Sequence, residues 1–133
     1  VVEPRVGGRF ELFVDRPSES ARMIGRVLRW DPPERLEFTW KVGGEAETIV
    51  RCELTADGPN ATRLLFTHGA IAFKWVGLVL PGWHTHLERL AKTLETTAAV
   101  PDSHERWREL QAIYLKHYRL AGVLTEPPAG HCD

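Results

Sequence analysis

Short stretches in which apolar and polar residues alternate, broken at intervals by turn-forming clusters, constrain this chain more than any other feature. A period of two is the pattern of a strand with one face covered and the other in water. Phe10, Leu12 and Val14 alternate with Arg9, Glu11 and Asp15. Arg22 to Trp30 reads as a second strand, Asp31-Pro32-Pro33-Glu34 supplies a turn, and Leu36, Phe38, Trp40 and Val42 alternate again, which predicts a hairpin. Gly43-Gly44 makes the next turn, and Val50, Cys52 and Leu54 share one face of the strand that follows. Asp57-Gly58-Pro59-Asn60 turns the chain once more, after which Leu64, Phe66 and His68 point inward on a fifth strand. Five strands joined by short turns predict an antiparallel sheet with one face toward a core.

Two helical patterns follow. Trp83, Leu87, Leu90 and Leu94 recur at helical spacing and predict a helix beginning near Pro81-Gly82 that covers the sheet. Asp102 with Glu105 has the form of a capping box ahead of a second stripe, Trp107, Leu110, Tyr114, Tyr118 and Ala121, with Gly122 as its stop. The expected fold class is α+β. A chain of 133 residues suits one domain, read here as sheet and covering helix over 1–98, an additional helix packed on the same domain over 99–124, and a flexible tail over 125–133.

Charge and cysteine usage exclude several functions. Seventeen basic against eighteen acidic residues leave a net charge of -1, so no overall field would gather nucleic acid or an anionic membrane. The most apolar run, Trp75 to Leu80, is too short to span a bilayer, and no secretory signal pattern opens the chain. Cys52 and Cys132 lie far apart without CxxC spacing, which fits a reducing, cytoplasmic setting.

Three stretches taken together resemble the START-like (SRPBCC) superfamily, in the branch named after the activator of the heat-shock ATPase. They are Glu3-Pro4-Arg5-Val6-Gly7-Gly8-Arg9-Phe10, the run from Gly25 through Trp30-Asp31-Pro32-Pro33-Glu34 to Leu36, and Gly82-Trp83-His84-Thr85-His86-Leu87. The resemblance implies a helix-grip fold, a curved antiparallel sheet wrapped about a long helix with an apolar cavity between them. Members normally carry a first strand and two short helices ahead of the Glu-Pro-Arg-Val-Gly-Gly stretch. This chain starts at Val1, almost at that stretch, and is therefore expected to be N-terminally incomplete, with an exposed sheet edge that would favour a homodimer.

Within such a fold the cavity wall is also the core wall. Phe38, Trp40, Phe66, His68, Trp75, Trp83 and Leu87 are the candidate ligand-binding residues, and among them His68 is the candidate for proton transfer. His84 and His86 are set roughly 200° apart at about 100° per helical residue, so they cannot share a metal. His84 has helical i, i+4 spacing only to Glu88, a pair read either as a chelating or acid/base couple or as an exposed hydrogen-bonded pair. The crowded segment Phe73 to Leu80 is expected to be a loop or short helix before the covering helix, serving as packing, a subunit contact or a ligand portal. There is no phosphate loop, nucleophile elbow or carboxylate cluster, and no metal or cofactor is expected. The leading expectation is a binding protein for a small hydrophobic ligand. The alternatives are a polyketide cyclase/aromatase-like enzyme, a co-chaperone of a heat-shock ATPase, and a self-association module.

Overall fold

Residues 1–13, 22–41, 45–101 and 103–126 are described by the computed structural model. The sequence expectations on Val14, Asp15, Val42, Gly43-Gly44, Asp102, Cys132 and the tail beyond Glu126 lie outside the described residues. Five strands, β1 (Arg9–Phe13), β2 (Arg22–Asp31), β3 (Arg35–Lys41), β4 (Glu47–Ala56) and β5 (Thr62–Gly69), form an antiparallel meander in the order β1-β2-β3-β4-β5. A 3₁₀ turn over Phe73–Trp75 leads into α1 (Val76–Glu95), and α2 (His104–His117) follows. The class is the expected α+β, with five antiparallel strands, one long helix and a further helix among the described residues. The chain divides into a sheet unit over Val1–Ile71 and a helical unit that begins at Ala72.

In the sheet unit, antiparallel register aligns side chains in rows across the strands. Val27, Phe38, Val50 and His68 pair in succession from β2 to β5, and Trp30, Leu36, Cys52 and Phe66 make the neighbouring row. Val27 and Trp30 lie an odd number of residues apart and would fall on opposite faces of a regular strand. A register shift between Val27 and Arg29 returns Trp30 to the apolar face, opposite Leu36. Val27, Phe38 and Val50 are almost wholly buried. The other face carries cross-strand charge pairs, Arg51 to Glu37 at 2.7 Å and Arg35 to Glu53 at 3.7 Å.

The opening Glu-Pro-Arg-Val-Gly-Gly segment folds back on the sheet. Glu3 N donates to Arg9 O at 2.8 Å, Gly7 N to Val27 O at 2.8 Å, and Val27 N to Gly8 O at 2.8 Å. A Cβ on Gly8 would stand 2.3 Å from the Glu3 carbonyl oxygen, so only glycine lets the backbones approach this closely.

The helical unit corrects the expected start of the first helix. α1 begins at Val76 rather than near Pro81, and the segment Phe73 to Leu80 supplies the 3₁₀ turn and the first turns of α1. Pro81 sits inside the helix. Without an N–H it leaves the Gly77 carbonyl, its i−4 acceptor, with no intrahelical donor. Gln111 of α2 makes up the loss: its Nε2 donates to Gly77 O at 3.0 Å and also to Thr125 O at 3.0 Å. The chain after α2 runs back along this point, with Leu124 N on Lys74 O at 2.7 Å. A Cβ on Gly77 would come within 2.6 Å of the Leu124 carbonyl oxygen, so this position also requires glycine.

The buried face of α1 differs as well. It consists of Gly77, Leu78, Pro81 and Thr85, while Leu90 and Leu94 of the expected stripe are exposed. α2 is capped by Ser103, whose Oγ accepts from Arg106 N at 3.1 Å. It ends at His117, short of Gly122. Arg119 N bonds to Lys116 O at 3.3 Å and Leu120 N to Leu115 O at 3.0 Å, the paired bonds of a Schellman cap, with Arg119 itself at φ 51°.

Two substitutions test these assignments. Gln111→Glu keeps the shape but replaces donors with acceptors, and is expected to cost about 2 kcal/mol. Arg119→Gly relieves a left-handed residue and is expected to gain roughly 0.5–1 kcal/mol. Urea unfolding followed by circular dichroism reads both; a neutral Gln111→Glu would contradict the role given to the Gly77 carbonyl.

Candidate functional site

The apolar face of the sheet unit carries a small aromatic cluster around one polar pair. Phe10 of β1 stacks on Phe38 of β3, ring centroids 4.6 Å apart. Trp40 closes on both at 6.0 and 6.2 Å. His68, from β5, meets the edge of the Trp40 ring at 6.3 Å. The row that pairs His68 with Val50, itself fully buried, is the reason an imidazole ends up beside these aromatics.

Thr48, buried on β4, holds that imidazole. Its Oγ1 lies 2.8 Å from the Trp40 carbonyl oxygen and 2.7 Å from His68 Nε2. A threonine hydroxyl has one proton. Donated to the Trp40 carbonyl, which cannot itself donate, it leaves Oγ1 as the acceptor for His68. The imidazole therefore carries its proton on Nε2 and its lone pair on Nδ1. Burial pushes the His68 pKa down to about 4, so the ring is neutral at physiological pH. Cys52, on the same face, is a free thiol whose pKa burial shifts the opposite way, upward.

Of the residues singled out in the sequence, Phe38, Trp40 and His68 come together in this cluster, and Phe66 shares their face one row away, opposite Cys52. Trp75, Trp83 and Leu87 belong to the helical unit. Trp75 is buried in the 3₁₀ turn with Lys74 Nζ 5.8 Å from its ring, Trp83 meets the edge of His86 at 6.0 Å, and Leu87 is half-buried on α1. His84 and His86 take different partners, as helical geometry requires.

Two members of the cluster, Phe10 and Thr48, are not distinguished by the sequence, where Phe10 reads as part of a strand stripe. Thr48 is polar, yet it continues the period of Val50, Cys52 and Leu54, and a polar residue in phase with an apolar face is the signal that marks it. Among the described residues, no group of three or more His, Cys, Asp or Glu side chains is arranged to hold a metal. No described helix is long and apolar enough to cross a membrane.

A family model described as activator of Hsp90 ATPase homolog 1-like protein matches residues 1–95. The chain belongs to this family. The activator of Hsp90 ATPase homolog 1-like family is START-like, and the matched stretch ends at Glu95, the last residue of α1, so that α2 and its bonds to α1 lie beyond it. No curated protein and no solved structure gives a significant match.

The half-buried, neutral His68 makes stability depend on pH in a defined direction. Its pKa is about 4 when folded against an ordinary value of 6.5, so between those values the unfolded chain binds more protons than the folded one. Stability is expected to be full above pH 6.5 and to fall toward pH 4, by on the order of 2 kcal/mol after allowance for the ring's partial exposure. His68→Gln is expected to flatten that slope; a wild-type protein equally stable at both ends of the window would contradict a neutral, half-buried imidazole.

Proposed function

We propose that this protein binds a small, largely apolar molecule against the aromatic face of its sheet, with Trp40, Phe38 and Phe66 supplying contact area and His68 orienting the ligand's polar end. The observation that carries the reading is a neutral imidazole, fixed in one tautomer by Thr48, set in an otherwise apolar face. Few, oriented polar groups among apolar side chains are the usual composition of a small-molecule site.

The same chemistry ranks the alternatives. A general base works best when its pKa lies near the operating pH, and an imidazole at about 4 falls well below it. His68 therefore suits hydrogen bonding better than proton abstraction, and a binding role is favoured over a cyclase-like enzyme. The family description refers to activation of Hsp90 ATPase, but one fold hosts many functions. The free, half-buried Cys52 thiol fits a reducing compartment.

A neutral fluorescent probe, N-phenyl-1-naphthylamine, tests the reading. Saturable binding with a blue-shifted emission is expected. Trp40→Leu, with its circular dichroism unchanged, should weaken it about tenfold or more, as loss of an aromatic anchor does. Binding insensitive to Trp40→Leu would remove the sheet face as the site, and stimulation of Hsp90 ATPase turnover without any probe binding would favour the co-chaperone instead.

A further inference from the structure

The opening of α1 is weak when judged as an isolated helix. Among the described residues it has no side-chain cap at its start and no acidic residue in its first turn. Gly77 stands at its second position, and glycine is a poor helix former. Pro81 then removes one of the bonds that would tie the opening residues to the rest of the helix, because it has no N–H to offer the Gly77 carbonyl. α2 shows the contrast: Ser103 caps it, and Glu105 lies in its first turn.

The missing support comes from outside α1. Gln111 of α2 turns its amide nitrogen toward two carbonyls, Gly77 O and Thr125 O, each at 3.0 Å. Both carbonyls only accept, and the amide nitrogen carries two protons, so each receives one. Leu124 N donates to Lys74 O at 2.7 Å, in the 3₁₀ turn just ahead of the helix. A Cβ on Gly77 would stand 2.8 Å from Val123 Cγ2 and 2.6 Å from Leu124 O. Residues 123–125 thus form a strap across the start of α1, and Gln111 pins strap and helix with one amide group. Strap and pin both lie beyond residues 1–95, which the family model matches.

We propose that α2 and this strap are a latch on the opening of α1, with Pro81 as the hinge at which it releases. Latched, α1 starts at Val76, and Trp75 and Leu78 are buried. With the strap withdrawn, Phe73 to Leu80 unwinds as a unit while Gly82 to Glu95 stays helical. The boundary falls at Pro81 because the bond ladder is already broken there, and because proline is well suited to the first turn of the shortened helix. The residue order alone favours that shorter helix, beginning near Pro81-Gly82, and the latch is what extends it backward to Val76. Whatever draws residues 123–125 away therefore exposes an apolar segment without unfolding the rest of α1.

Amide hydrogen exchange of the ¹⁵N-labelled full chain, read by NMR, tests the latch. Gln111→Met keeps the side chain's length but removes its donors, and Leu124→Pro removes the N–H that reaches Lys74. Each is expected to speed exchange at Leu78, Val79 and Leu80 by about tenfold or more, with less than about a twofold change from Leu87 to Ala91. Ser103→Ala, which removes the α2 cap and touches neither strap nor pin, is expected to speed exchange at the start of α2 and leave Leu78 to Leu80 as they are. Equal acceleration along the whole of α1, no acceleration by either latch variant, or the same acceleration by Ser103→Ala would overturn the proposal. The two latch variants cut different bonds, so a failure of one to fold leaves the other to decide. None of the substituted residues lies in the sheet unit, and the sheet site stands or falls separately.

Discussion

Val50 is paired with Phe38 on one side and His68 on the other, and the architecture of the sheet face depends on that register. A slip of one residue would turn Phe38, Trp40, Cys52, Phe66 and His68 to the opposite face and bring Glu37, Arg51 and Glu53 inward. Two features hold it. One is the charge pairing on the outer face, where Arg51 meets Glu37 and Arg35 meets Glu53. The other is the register shift near Val27, which puts Trp30 as well as Val27 on the apolar side. Neither a regular strand nor a uniformly polar outer face would specify the pairing as well.

Given that register, the polar chemistry of the face follows from one hydroxyl proton. Thr48 stands two residues before Val50 and therefore on the same face, diagonal to His68. Its donation to the Trp40 carbonyl decides which imidazole nitrogen is protonated, and burial decides that only one of them is. A short hydrogen-bonded chain thus converts a side chain that could donate or accept into one with a single role.

The strands were legible because each buries one face, and a half-buried strand writes its period into the residue order. The helix boundaries were not. Pro81 has the look of a first-turn proline, and its tolerance inside α1 rests on Gln111, thirty residues later in the chain. Gly122 has the look of a helix stop, yet Arg119 adopts the left-handed conformation that ends α2. The stripe expected on α1 followed leucine spacing, whereas the close approach of residues 123 and 124 to Gly77 accompanies a different buried face. For the site, Phe38, Trp40 and His68 could be proposed because aromatic and imidazole groups in phase with an apolar face are conspicuous. Thr48 was not, since a threonine in a strand is ordinary until its cross-strand partner is known. Tyr114 reads as packing in the sequence, and its hydrogen bond to His84 arises only when α2 returns alongside α1.

An apolar ligand held on the aromatic sheet face beside the neutral His68 should survive gentle purification and be visible in native mass spectrometry. The expected result is a chain carrying a small apolar adduct that is lost, without unfolding, when Trp40 is replaced by leucine. A wild-type protein that remains free of any adduct after incubation with a library of neutral lipids and aromatic hydrocarbons would contradict it.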